Sequence, residues 1–418
     1  MKSTECFDEL EGLRKANLLR KLASIESAHG PKVSINRKTF TNFSSNDYLG
    51  LSNHPQIIRA AAAALKKYGF GSGASRLLSG TYPPHLELEE RIAKYKNSEA
   101  ALVFNTGYAA NTGIIPVIAG EGSVIFSDQL NHASIVDGVR LSKADVMVYM
   151  HKDLNHLESL LKKSQSKSVT RRVVITDTVF SMDGDIAPIR EIAELCKRHV
   201  AILMIDDAHG TGVLGKTGRG GLEHFGIKSD NIIQMGTLSK AAGCYGAFVA
   251  GSRDLIDLLI SKARSFIYST SLPPVVAAAG IKAIDIIDKK SGRLRQQLWR
   301  NRRHLYEGLK SLGYDTLGSE TPIIPVLAGD VKDALILGQY LYDNGIFAPA
   351  IRPPTVPDGM CRIRFTVTAG HTADDIDLVL EKLHKYRSVI PAKAGIQKRL
   401  DSRIESTRWV DPTGSSPE

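Results

Sequence analysis

No stretch of this 418-residue sequence stays apolar long enough to span a bilayer. Its polar start, "MKSTECFDELEGLRKANLLRK", has neither the apolar core nor the small-residue cleavage pattern of a secretory signal, so a cytoplasmic protein with no membrane partner is expected. Cysteine is scarce. Cys6, Cys196, Cys244 and Cys361 are scattered, with no CxxC pair and no histidine at ligand spacing, which argues against a zinc site and a disulfide framework and leaves reduced, mostly packed thiols. Also missing is a basic stripe with interleaved aromatics. The formal charge is +10, but the cations fall in short groups such as "WRNRR" and "TRR", so attraction for anionic small molecules is expected and nucleic acid is not.

What is present is a regular alternation. From about residue 100 to 252, "ALVFNTG", "SVIFSD", "DVMVYM", "RRVVITD", "AILMIDD", "NIIQMGT" and "GAFVAGS" read as strands too apolar to be half-exposed. Between two of them, "APIREIAELCKRH" sets Ile189, Ile192, Ala193 and Cys196 at helical spacing. The pattern implies an α/β fold with a mostly parallel sheet covered by helices, whose ligands sit beyond the C-terminal strand ends. Residues 1–45 read as a helix ("DELEGLRKANLLRKLASIES") and an extended arm, and 46–288 as the large domain. Residues 289–388 carry a different pattern, a helix, then "IIPVLAG", "GIFAPAIRPP", "CRIRFTVTA" and a last helix, which fits a small α+β domain. Residues 389–418 lack sustained periodicity, read as a poorly ordered tail, and are expected to be dispensable for activity.

Two motifs mislead. Gly210, Gly215, Lys216 and Thr217 match the phosphate-loop spacing, yet "DDAH" separates them from the strand, and "GRGGLEHFG" after them is a poor helix start. "GFGSGAS" follows a helical alanine run instead of a strand, as a dinucleotide site would require.

A third pattern is more informative. "AILMIDDAHGTG" delivers Asp206 and His209 to the sheet edge, and the next strand ends in "GTLSKAAG", which delivers Thr237 and Lys240. Lys240 stands among small neutral residues, the setting in which a lysine can act as a neutral amine. Pyridoxal 5'-phosphate (PLP) forms a Schiff base with such a lysine and needs an acid beside its ring nitrogen. "FNTGYAANTG" leads through Gly107 into a helix N-terminus suited to an anion, and "DQLNHASIVDG" places His132 before another helix.

These segments, with "FSSNDYLGLSNHP", "VFSMDGDIAPI", "YSTSLPP" and "IRPPTVPDGMCRIRFTVTA", resemble the PLP-dependent α-oxoamine synthases from about Arg20 to Tyr386. The resemblance implies a fold-type I PLP transferase and a catalytic set of Lys240, His132, Asp206 and His209. Lys240 would hold the cofactor covalently and move the substrate Cα proton. Asp206 would pair with the ring nitrogen, His209 with the phenolic oxygen, and His132 would stack on the ring. Gly107, Tyr108 and Thr237 would hold the phosphate, with Ser181 beside the ring. Arg364 would bind the amino-acid carboxylate, and Arg20, Thr355 and Arg352 would contact the acyl substrate. The versions "FSSNDYLGLS" and "AIRPPTVPDG" are most like the branch that joins L-alanine to a pimeloyl thioester in biotin synthesis. Branches using glycine with acetyl-CoA or succinyl-CoA share the same core, so the acyl-contact motifs alone separate them. A homodimer with shared active sites is implied, with "YSTS" reaching the neighbour's phosphate site.

Overall fold

The structure, a computed structural model, describes residues 3–165, 168–228 and 231–389. The chain opens with α1 (Ser3–Lys15), the hairpin β1 (Lys32–Ile35) and β2 (Lys38–Asn42), then α2 (Pro55–Tyr68) and α3 (Pro83–Lys96). The alternating region follows as β3 (Ala100–Phe104), α4 (Gly107–Ile118), β4 (Val124–Asp128), α5 (Ala133–Ser142), β5 (Asp145–Tyr149) and α6 (Leu154–Gln165). It continues through β6 (Arg172–Asp177), α7 (Ile189–Arg198), β7 (Ile202–Asp206), α8 (Gly221–Phe225), β8 (Ile232–Thr237) and β9 (Ala247–Gly251). Helices α9 (Arg253–Lys262), α10 (Arg264–Ile267), α11 (Pro274–Lys290) and α12 (Gly292–Ser311) lead to the C-terminal elements. These are β10 (Ile323–Gly329), α13 (Val331–Asp343), β11 (Ile346–Phe347), β12 (Ala350–Ile351), β13 (Cys361–Thr366) and α14 (Ala373–Val389). Among the described residues no helix is long and apolar enough to cross a membrane.

The main sheet runs β3-β9-β8-β7-β6-β4-β5, parallel throughout except for β9, which is antiparallel to both neighbours. Its central strands are apolar on both faces because both faces are covered. Val173 and Ile175 of β6 pack with Ile125 and Met204 on one side, while Val174 packs with Phe126, Leu203 and Ile205 on the other. Each such side chain contributes about 1.5–3 kcal/mol by leaving water. The parallel direction gathers the ends of β4, β6, β7 and β8 at one edge.

β5 departs from the expectation of full burial. It is the edge strand, with Val146 and Val148 each 46% exposed. The first helix is also shorter than its periodicity predicts. Asn17 takes a left-handed φ of 58°, and Leu18 N donates to Leu13 O, a C-terminal cap that stops the helix long before Ser27. Leu22 beyond it is fully exposed. Conversely, "GLEHF" does form a short helix, α8, because Gly220 at φ 98° reverses the chain at its start. Hairpin β1–β2 and helix α13 were not anticipated. The hairpin turns at Asn36 and Arg37, both left-handed, and β2 pairs in parallel with β11, so the N-terminal arm is sewn onto the C-terminal sheet β10-β13-β12 by Thr366 N donating to Phe43 O. The tail expected from residue 389 falls, beyond the end of α14, outside the described residues.

One buried ion pair fixes the edge from below. Lys96 Nζ lies 2.8 Å from Asp207 Oδ2, both side chains fully enclosed, and Asp207 also accepts from Thr211 Oγ1 and Gly221 N. Asp207→Ala strands the Lys96 charge in the interior and is expected to lower stability by about 3–5 kcal/mol. Urea unfolding checks this, with Lys96→Met/Asp207→Leu recovering much of the loss.

Candidate active site

The ends of β6, β7 and β8, the start of α4 and the N-cap of α5 enclose a cleft of about 180 Å³. Gly107, Tyr108, His132, Asp206, His209, Thr237 and Lys240 line it, all of them expected from the sequence, with Ser134, Asp177 and Ser239 added. Each arrives for a local reason. Asp206 is the last residue of β7, and Asp177 sits directly beside it in the parallel register. Lys240 follows β8 on a turn closed by Gly243 N to Lys240 O and Cys244 N to Leu238 O. Gly243 is required there: it has φ 62°, and a Cβ would come within 2.3 Å of Ser52 N. His132 caps α5, its Nδ1 accepting from Ser134 N at 3.2 Å.

The carboxylate of Asp206 is held from two sides, by Asn111 Nδ2 at 2.8 Å and Ala208 N at 2.9 Å. Its neighbour Asp177 accepts from His132 N at 2.7 Å. Burial, and then the charge of Asp206, push the Asp177 pKa well above the usual carboxylate range. No hydrogen bond or ion pair among the described residues engages the Lys240 ammonium, and burial holds its pKa below the ordinary lysine value, with Arg364 adding to that and Asp206 and Asp177 opposing it. Burial likewise keeps His132 and, more strongly, His209 below the usual histidine range; the nearby Lys240 charge adds to both shifts.

A neutral His209 has a defined job. Its Nδ1 lies 2.6 Å from the Tyr48 hydroxyl, whose pKa burial raises to about 12. The phenol stays protonated, and in the tautomer where it donates to Nδ1, Nε2 carries a hydrogen for the cleft. Arg364 adjoins the same hydroxyl, donates to Thr366 Oγ1 at 2.9 Å and Asn46 Oδ1 at 3.2 Å, and bonds Ser181 O. Ser181 and Arg364 thus sit together, joined to the cleft through Tyr48. The three expected acyl contacts form a separate group at the surface. Arg20 donates to Thr355 Oγ1 at 3.2 Å and Pro353 O at 3.3 Å, and Arg352 bonds Asn17 O.

These residues fit PLP. The first turn of α4 leaves the N–H groups of Gly107 and Tyr108 unused by the helix, while Ala109 N is taken by Thr106 Oγ1, so an anion can be received there. Thr237 and Ser239 hydroxyls, 2.7 Å apart, flank that position. The rest of the donor set, an amine without a partner, a carboxylate with spare lone pairs and an imidazole N–H, matches an aldehyde, a ring N–H and a phenolic oxygen. A nucleotide phosphate loop is excluded at Gly210 to Thr217, because the Glu223 carboxylate already fills it, accepting from Thr217 N, Thr217 Oγ1 and Arg219 N. Among the described residues no cluster of metal-ligating side chains occurs.

Sequence reasoning missed Asn111, Asp177, Ser134 and Tyr48. Asn111 stands within the quoted "FNTGYAANTG", one turn past Gly107, and Asp177 ends a recognised strand; both signals were legible. Tyr48 reaches His209 across 161 positions, and nothing local announces that contact.

The aminotransferase class I and II family model matches residues 38–383. The 8-amino-7-oxononanoate synthase of Geobacter sulfurreducens is 49% identical over 370 residues, spanning 88% of this chain and 94% of that one. A solved structure described as SPT with a PLP internal aldimine superposes with a TM-score of 0.88 at 31% identity, covering 93% of this chain and 99% of its own. The Francisella tularensis 8-amino-7-oxononanoate synthase gives 0.73 at 29% identity, over 84% and 98% of the two chains. Agreement of that extent, running through every strand that builds the cleft, settles the family: the chain belongs to the class I and II aminotransferase family, among its 8-amino-7-oxononanoate synthases.

Proposed function

We propose that the protein condenses L-alanine with a pimeloyl thioester to give 8-amino-7-oxononanoate, carbon dioxide and the free thiol, using PLP in the cleft. The observation that carries this reading is the unpartnered Lys240 amine facing Asp206, His132 and His209 in one pocket. PLP, when bound, supplies a carbonyl for amines and a ring that accepts the electron pair left on the alanine Cα.

The chain's own residues do the rest. Lys240 holds the cofactor and then, as a free amine, takes the proton from the alanine Cα. Asp206, fixed by Asn111 and Ala208 N, holds a proton at the ring nitrogen. His132 would lie against the ring, and His209 would offer a ring N–H to the phenolic oxygen. Gly107, Tyr108 and Thr237 take the phosphate, with Ser181 beside the ring. Arg364 receives the alanine carboxylate, which departs as carbon dioxide after the new carbon–carbon bond has formed and the thiol has left. Arg20, Thr355 and Arg352 meet the acyl substrate where the N-terminal arm crosses the 352–355 turn.

Two copies are proposed to complete each site. Residues 268–272 cross the segment at 72–75 through a Ser75–Thr270 bridge and Ser271 N to Ala74 O, and Thr270 O is bonded by Asn105, next to the α4 start. Phe70, Leu78 and Tyr268 on this face are 73%, 80% and 72% exposed, an apolar surface suited to a second copy. Sedimentation at micromolar concentration is expected to give a dimer.

Thiol release from pimeloyl-CoA by PLP-loaded protein tests the reaction. Release that depends on L-alanine is expected; release that depends instead on glycine with acetyl-CoA would move the protein to a sister activity.

A further inference from the structure

His151 lies outside the cleft, in the turn after β5, and nothing in the proposed chemistry uses it. Both of its ring nitrogens nonetheless face carboxylates. Nδ1 is 2.9 Å from Asp128 Oδ1 and Nε2 is 2.9 Å from Asp185 Oδ2, with the Phe180 ring edge-on at 4.3 Å. Two carboxylate acceptors require two N–H donors, so the ring is an imidazolium.

The two acids belong to two different parts of the site. Asp128 ends β4 and orders the turn that carries His132: its carboxylate accepts from Leu130 N at 2.9 Å and Lys152 N at 3.0 Å. Asp185 closes the 178–187 loop, whose Ser181 O bonds Arg364, whose Met182 O accepts from Arg362 at 3.2 Å, and whose Asp183 pairs with Arg362 at 2.6 Å. That loop is also stitched to the C-terminal part of the chain, since Glu320 N and Thr321 N both donate to Gly184 O. Lys152 adds a second tie, 3.0 Å from Asp185 and 3.6 Å from Glu320.

We propose that His151 is a positioning residue for the amino-acid substrate: its charged ring clasps the His132 turn to the 178–187 loop and so fixes where Arg364 presents its guanidinium relative to Lys240. The inference rests on the reading of Arg364 as the alanine carboxylate's partner. Without the ring, Asp185 keeps only Lys152, and its Oδ1 already has no partner among the described residues, so the loop must shift to rehydrate the carboxylate.

Charge sets the working range of the clasp. Burial alone would lower the His151 pKa, but hydrogen bonds and charge from Asp128 and Asp185 outweigh it and bring the value to about 9. The groups facing the ring are Asp128 from β4, Asp185 from the loop, and, through Asp185, Lys152 and Glu320. A folded-state pKa raised above the unfolded one means that the clasp is fully formed below the unfolded value of about 6.5 and is lost as pH rises through about 9.

The test uses PLP-loaded protein, with L-alanine affinity measured by calorimetry and the KM for pimeloyl-CoA by thiol release. L-alanine binding by the parent is expected to weaken as pH rises through about 9. His151→Gln is expected to weaken that binding about 10-fold while leaving the pimeloyl-CoA KM within about twofold, and to flatten this alkaline loss. Asp185→Asn, which cuts the same link from the other side, is expected to do likewise. Unchanged L-alanine affinity in either variant overturns the inference, as does an equal rise in both constants or a lower melting temperature with unchanged constants. Loss of the fold in both variants also overturns it, since the clasp would then support the domain and not the arginine. A parent protein that binds no L-alanine overturns the reading of Arg364 itself, and is told apart by failing before any substitution is made.

Discussion

Lys240→Ala is expected to fold as the parent does and to lose thiol release by roughly 10⁴-fold or more. The fold should survive because the lysine side chain supports nothing. Its amine has no hydrogen-bonding partner among the described residues, and the turn that presents it is closed by backbone bonds, Gly243 N to Lys240 O and Cys244 N to Leu238 O, that alanine retains. The activity should not survive, because among the described residues no other amine lines the cleft. Borohydride treatment of PLP-loaded protein, followed by peptide mapping, separates binding from chemistry: the parent is expected to carry the label on Lys240 and the variant to carry none there. Label on another lysine, with turnover retained, would show that the cleft has been misread.

Much of this was legible in the sequence, for a physical reason that differs from element to element. The central strands of the main sheet were readable because a parallel sheet covered on both faces needs continuous apolar runs, and β6 and β7 are apolar from Val173 to Ile175 and from Ile202 to Ile205. The same rule misled at β5, whose Val146 and Val148 are as apolar as a central strand yet stand at the sheet edge. Edge or centre is decided by strand order, which no single run encodes. The Lys240 and Asp206 pair was readable because consecutive parallel strands bring their ends to one edge. Tyr48 and His151 were not readable as partners of anything, and Arg364 was readable only as a carboxylate contact through the family resemblance: the three meet the site through contacts 161, 34 and 183 positions long, with His209, Asp185 and Ser181. The end of α1 was decided by a left-handed Asn17 whose signal was weaker than the leucine pattern continuing past it.

Asp206 should be the second most sensitive position, and two substitutions there separate its packing from its charge. Asp206→Ala removes the acceptor of Asn111 Nδ2, a side chain whose Oδ1 already lacks a partner among the described residues, leaving that buried amide with only its Ser134 bond. Weak retention of PLP and a turnover loss of roughly 10³-fold are expected. Asp206→Asn keeps the shape and can keep bonds to Asn111 and Ala208 N after a flip, so PLP should be retained while turnover still falls steeply; absorbance of the gel-filtered protein and thiol release measure the two effects. The neighbour then matters. After burial, the Asp206 charge is the next cause that raises the Asp177 pKa, so its removal lowers that pKa and favours an Asp177 anion one strand away, still bound to His132 N. Asp177 would supply a misplaced anion and a residual rate. Asp177→Asn added to Asp206→Asn is therefore expected to lower turnover further than Asp177→Asn lowers it in the parent background. If the two substitutions simply add, the carboxylates do not share one charge, and Asp206 acts through its geometry alone.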